Sequence, residues 1–198
     1  MALEALNMES HPTLGNGTML LALTGWMDGG LVSTGTLKGM MQNRQIDSIA
    51  SIDPDPFYIY NFPGSMEIAT LFRPEVKYAD GMVSEYEMPL NAFYCDAAAE
   101  LVFFTGKEPN LRWGGFADCI FAVAERVGVN RFIFMGSFGG TVPHTREPRL
   151  FATVSHDHLK PLLRQHGCRF SNYEGPSGFA TLLLTRAAEE GIEMMSLV

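Results

Sequence analysis

The residues with the most chemistry in them crowd into Pro143-His144-Thr145-Arg146. His144 can take or give a proton near neutrality, and Arg146 offers a planar fork to a carboxylate or phosphate. Pro143 would fix the direction of both. A structural role stands beside this one, with His144 and Arg146 as struts tying a loop to carboxylates or carbonyls. Just upstream, Gly136-Ser137-Phe138-Gly139-Gly140 follows an apolar run. Its amides, those of Gly136 and Gly139 among them, could cradle an anion, or the glycines could serve a tight turn. The segment lacks the Lys-Ser/Thr of a phosphate loop and does not match GxGxxG.

Two further loops carry polar residues just ahead of helices. In Trp26-Met27-Asp28-Gly29-Gly30, Asp28 either caps the helix that follows or works as an acid/base residue beside His144. In Glu174-Gly175-Pro176-Ser177-Gly178, Ser177 fits an N-cap, and the pattern is not the GxSxG of a nucleophilic serine. His156 and His158 are two residues apart at a helix start, a spacing that points them apart rather than at one metal, and Ser155 reads as the N-cap. Asp53-Pro54-Asp55-Pro56 is held extended by its prolines and reads as an exposed loop. The catalytic candidates are therefore His144, Arg146 and Asp28. A wider ligand- or partner-binding set comprises Trp26, Asp28, Asn110, Gly136, Gly139, His144, Thr145, Arg146, Glu174 and Ser177. No metal ligand set, cofactor fingerprint or activated nucleophile emerges.

These residues need elements to hold them. Trp113, Phe116, Ile120, Ala124 and Val127 recur at threes and fours, which predicts a helix over 113–127 stopped by Gly128. A strand, Arg131 to Met135, follows. The same punctuation appears at 158–166 with Gly167 and strand 168–172, and at 178–190 with Gly191 and strand 192–198. An earlier unit reads as strand 19–23, helix 31–42 and strand 46–52. Alternating strands and one-sided helices predict a three-layer α/β/α sandwich on a mixed, largely parallel sheet, formed by 1–198 as a single domain. Residues 57–96 break the rhythm: their Pro, Tyr and Asp80-Gly81 content predicts antiparallel strands or an excursion. In an open parallel sheet the loops leaving the strand C-termini share one rim. Four loops, 24–30, 105–112, 136–146 and 172–178, are expected to meet there and form a crevice.

Composition narrows the function. Of 198 residues 46% are hydrophobic and only 18% charged, against about 25% in an ordinary globular chain. A surface so poor in ions leaves apolar area for a partner or a second copy. The net charge of −8, with arginines scattered singly, excludes a nucleic-acid groove. No apolar run approaches the roughly 18 residues of a membrane span. Three widely spaced cysteines and an N-terminus without a basic leader predict a reduced, cytoplasmic protein.

The motifs together resemble the proteasome assembly chaperone 2 family in its bacterial and archaeal branch. GWMDGG at 25–30, FRP at 72–74, EPNLRW at 108–113, GVNRFIFMGSFGGTVPHTR at 128–146 and EGPSG at 174–178 carry the likeness. The resemblance implies a fold similar to purine nucleoside phosphorylase and hydrolase-like sandwiches. It also implies a homo-oligomeric, protein-binding assembly module engaging proteasome-like particles or other protein assemblies. An enzyme, a hydrolase or transferase acting on a small anionic or nucleoside-like substrate in the crevice, is the alternative. Asn110 stands where relatives often carry Asp, and Glu147 separates Arg146 from Pro148, which relatives often join. The chain ends Ser196-Leu197-Val198, without the penultimate-tyrosine tail of some archaeal members. It also lacks the helical extension that most relatives add, which is expected of a shortened member or a fragment.

Overall fold

Met19, Leu20, Leu21, Ala22 and Leu23 are all buried, as a strand covered on both faces demands. They belong to β2 (Gly17–Thr24), the axis of a nine-stranded sheet. The computed structural model describes residues 3–140, 143, 145–147 and 149–198. Its other sheet strands are β1 (Leu6–Met8), β3 (Asp47–Ile52), β6 (Ala92–Asp96), β7 (Leu101–Lys107) and β8 (Val129–Met135). With them come β9 (Phe151–Val154), β10 (Arg169–Phe170) and β11 (Glu193–Leu197). The order is β1-β3-β6-β7-β2-β8-β11-β9-β10.

The central four strands, β7, β2, β8 and β11, are parallel. Antiparallel pairings join β6 to β7 on one flank and β9 to β11 on the other. Their helices lie on both faces. Leu37 of α1 (Val32–Met41) packs on Leu20, Ala22 and Phe103. Leu163 of α4 (Lys160–Gln165) packs beside Ala152 and Met195. On the opposite face, α3 (Trp113–Val127) and α5 (Phe179–Glu190) cover Met19, Leu21, Phe104 and Phe132. This is the expected three-layer arrangement.

Phenylalanine dominates the α3/α5 face. Phe116 of α3 touches Phe57 at 5.1 Å and Phe179 at 5.5 Å between ring centroids, both edge-on, and Phe93 stacks on Phe104 at 4.3 Å. Each fully buried ring contributes about 1.5–3 kcal/mol over its exposed state. Those contacts fix α3 and the start of α5 against the same strands, so the loops before both helices are held at one rim.

Several boundaries differ from the sequence expectation. β7 runs to Lys107 because Gly106 and Lys107 still pair with β2. β1 and β9, three and four residues long, are too short to announce themselves, and β10 shrinks to two residues. Ser155 does not cap a helix. Its hydroxyl accepts the Met194 amide at 2.7 Å and meets His156 Nδ1 at 2.7 Å, joining β9 to β11. His156 is extended and Asp157–Leu159 form a short 3-10 turn, so the rings of His156 and His158 lie 5.5 Å apart between centroids instead of diverging. His158 nonetheless bonds Glu193, and no metal-binding group of three appears among the described residues.

The segment that broke the sequence rhythm is an excursion. After β3 the chain forms α2 (Met66–Thr70) and a separate two-stranded ribbon, β4 (Glu75–Ala79) and β5 (Met82–Glu87). The turn is Asp80-Gly81, at φ 48 and 80, as a tight hairpin requires. Val76 pairs with Tyr86 and Tyr78 with Val83, while Glu75, Lys77, Glu85 and Glu87 share the other face. One face is thus apolar throughout, yet Tyr78, Val83 and Tyr86 are 58–66% exposed.

Candidate functional site

The loop after β2 and the loop after β8 are zipped together before any ligand is considered. Ser137 donates its amide to Met27 O at 2.8 Å, and Gly29 donates back to Ser137 O at 3.0 Å. A side chain at position 29 would meet the Phe138 backbone at 3.0 Å, which explains the glycine. Asp28 sits inside this zipper, buried. Its Oδ1 accepts the amides of Ser33 and Thr34 at 3.0 and 3.1 Å, and its Oδ2 accepts the Thr34 hydroxyl at 2.6 Å. Leu31, the residue that precedes α1, has φ 57 and no side-chain oxygen to offer, so Asp28 supplies the cap from three residues further back. Of the two readings of Asp28, capping is the one the geometry carries.

A residue absent from the sequence-derived set ties the remaining loops. Glu108, at the end of β7, accepts the Trp26 amide at 3.1 Å on Oε2 and the Phe179 amide at 2.7 Å on Oε1. Phe179 opens α5, where free amides and the positive end of the helix favour a carboxylate. Ser177 therefore is not the cap: Gly178 holds the N-cap position, and Glu108 supplies the acceptor. A glutamate at the rim end of a parallel strand, followed by Pro109, was the available signal. On the far side of the same loop, Asn110 Oδ1 accepts the Ile59 amide at 3.2 Å and its own amide donates to Phe57 O. Asn110 holds the 57–59 segment and does not face the cavity. Nearby, partial burial and the Asp55 carboxylate push the Tyr60 hydroxyl up to about 12.

Between these loops lies a cavity of about 540 Å³. Trp26, Met27 and Phe138 form one wall, and Tyr173, Pro176, Ser177 and Gly178 form another. Its floor is Phe151, Ala152 and Thr153 of β9 with Ser196 and Val198, and Ala180 and Thr181 of α5 close the side. Trp26, Phe138 and Tyr173 stand 61–68% exposed around the mouth. Among the described lining residues none is charged; they offer aromatic surface, hydroxyls and backbone groups.

The expected rim is present: Trp26, the Gly136–Gly139 loop and the Glu174–Gly178 loop all reach it. Trp26 and Ser177 line the cavity, and Gly136 is fastened by its amide to Leu197 O at 2.7 Å. Gly139, Thr145, Arg146 and Glu174 are exposed and are not among its lining residues. His144 lies outside the described residues. The aromatic lining, Phe138 and Tyr173 above all, lies outside the sequence-derived set, because a single ring in a loop has no periodic neighbours to mark which way it faces.

Fold and site define a class, a three-layer α/β/α protein with an uncharged, aromatic-lipped cavity at the C-terminal rim of its parallel strands. Within that class the chain belongs to the PAC2 family, whose family model matches residues 22–198. It is similar to the proteasome-assembly chaperone homologue of Mycobacterium tuberculosis, at 25% identity and TM-score 0.77, over 91% of this chain and 73% of that one. A PAC2 family protein from Streptomyces avermitilis superposes with TM-score 0.76 at 24% identity, over 92% and 74% of the two chains. PbaB of Pyrococcus furiosus, an archaeal proteasome activator, shares the fold at TM-score 0.67 and 21% identity, over 98% and 78%. No curated protein matches. No helix among the described residues is long and apolar enough to cross a membrane.

Proposed function

We propose that this protein is a cytoplasmic, homo-oligomeric, protein-binding module of the assembly-chaperone kind, with proteasome-like particles as the partner class. The observation that carries the reading is the ribbon β4–β5. A two-stranded ribbon is marginal alone in water, and here its wholly apolar face is bare. Around it Phe62, Met66, Ile68, Leu71 and Leu90 are exposed as well. So much bare apolar side chain on a chain with 18% charged residues is what association would cover. The family membership and the names borne by the Mycobacterium and Pyrococcus relatives support the same partner class. The small-anion enzyme reading gains no support from the described cavity wall, which presents no cation.

Light scattering of the full chain is expected to give a mass of several copies. Added proteasome core particles are expected to co-sediment with it. A one-copy mass together with no co-sedimentation would overturn the reading.

A further inference from the structure

An aspartate or asparagine followed by glycine is a point at which a chain can rearrange its own backbone. Three such pairs occur here: Asn16-Gly17, Asp28-Gly29 and Asp80-Gly81. The reaction is intramolecular. The backbone nitrogen of the glycine attacks the side-chain carbonyl carbon of the residue before it, and glycine, without a Cβ, hinders that approach least. Attack needs a glycine amide released from hydrogen bonding, a side chain free to swing onto it, and room for a five-membered ring.

The fold withholds these conditions from two of the pairs. At Asp28-Gly29 the glycine amide donates to Ser137 O at 3.0 Å. Both carboxylate oxygens of Asp28 are engaged at the start of α1, and the residue is buried. At Asn16-Gly17 the glycine amide donates to Gly128 O at 3.0 Å, and Asn16 Oδ1 accepts from Asn130. Glu100 accepts the Asn16 amide as well, at 3.2 Å.

Asp80-Gly81 differs on each count. It is the two-residue tip of the ribbon, between the paired Ala79 and Met82. Every residue of the hairpin from Glu75 to Glu87 is exposed. Among the described residues no acceptor takes the Gly81 amide, and no donor or cation holds the Asp80 carboxylate. A Cβ at Gly81 would meet nothing within 4 Å, so space for a ring is open.

We propose that Asp80-Gly81 is a site of covalent self-modification, where the folded protein isomerises aspartate to isoaspartate and thereby loosens its ribbon. The Gly81 nitrogen bonds to Asp80 Cγ, the Cγ–OH bond breaks, and that hydroxyl leaves with the amide proton as water. The product is a succinimide. Water then adds at Cγ, restoring aspartate, or at the main-chain carbonyl carbon of Asp80, giving isoaspartate. One water leaves and one enters, so the balance needs no oxidant or co-reactant. In the isomer the main chain runs through Cβ and Cγ and is one methylene longer. The length of a hairpin connection sets the register of the strands it joins, so the longer tip parts Ala79 from Met82.

Incubating the full chain at neutral pH in heavy-oxygen water tests this, because each passage through the ring places one heavy oxygen on residue 80. Proteolysis in ordinary water and mass spectrometry locate the label, and electron-transfer fragmentation separates isoaspartate from aspartate. In the folded protein, label and isoaspartate are expected at Asp80 and not at Asp28; in the chain unfolded in urea, at both. A folded protein that labels neither, over the time in which the unfolded chain labels both, overturns the proposal. Equal labelling of the two in the folded protein overturns it as well, since the fold would then make no selection. Asp80→Glu keeps the charge but would need a six-membered ring, and is expected to abolish the label at that position; a label that persists there did not pass through the ring. Amide exchange across 75–87 reads the loosening. It is expected to be faster in aged than in fresh wild type, and equal rates in the two would overturn the effect on the ribbon.

Discussion

Oε1 of Glu108 accepts the amide of Phe179 at 2.7 Å, across 71 residues of sequence. Through its other oxygen the same carboxylate holds Trp26, so one side chain fastens the loop after β2 to the first turn of α5. Glu108→Ala would leave both amides without a protein acceptor. Bonds to a charged group are each worth about 1.5–3 kcal/mol, with solvent lowering the share at Trp26. A net loss of about 2 kcal/mol is expected, seen as a fall in Tm of roughly 4–8 °C for a chain of this size. Glu108→Gln, which can serve one amide but turns an NH₂ toward the other, should fall between.

Asp28 predicts a dissection of the cap. Asp28→Ala removes three bonds at the start of α1 and should cost at least the ~1 kcal/mol of an ordinary cap, measured by urea denaturation. Thr34→Val removes only the hydroxyl partner at 2.6 Å and should cost less. Because both changes act through one carboxylate, the double variant should cost less than their sum. Additive losses would mean that the cap is not a unit.

How much of this was legible beforehand depends on the kind of signal. The helix at Trp113–Val127 announced itself because Phe116, Ile120, Ala124 and Val127 recur on one face and Gly128 follows. The shared rim was legible for the same reason, since parallel strands force their exits to one edge. Glu108 left only the faint mark of a glutamate at a strand's rim end ahead of Pro109, because its partners are backbone amides at positions 26 and 179, and no residue type marks a backbone amide. The ribbon was half legible: Asp80-Gly81 gave the turn, but which side chains share its bare face depends on a register shift after Lys77, and no pattern in the sequence encodes that.

Acid should weaken the β8–β11 pair. The hydrogen bond from His158, followed by that from Arg131, holds the Glu193 carboxyl below its ordinary value of 4.5. A depressed folded value means that the stabilisation is complete above pH 4.5 and is lost as pH falls through the folded value. Tm measured between neutral pH and pH 3 should therefore drop more steeply for the wild type than for Glu193→Gln. Parallel acid limbs would refute the role.

Gly128 and Gly191 end helices in the same left-handed conformation, at φ 82 and 73, but in different surroundings. A Cβ at Gly128 would lie 2.3 Å from Leu14 O, whereas at Gly191 nothing stands within 4 Å. Gly191→Ala should cost only the roughly 1–2 kcal/mol of the left-handed backbone. Gly128→Ala should cost clearly more and should loosen the Leu14 to Val127 hydrogen bond, which amide exchange would report.

The nine-stranded sheet tapers to β1, three residues long, at one margin and to β10, two residues long, at the other. A row of unpaired peptide groups that short gives an incoming strand almost nothing to zip onto. Lateral growth of this nine-stranded sheet into filaments is thereby disfavoured at both margins.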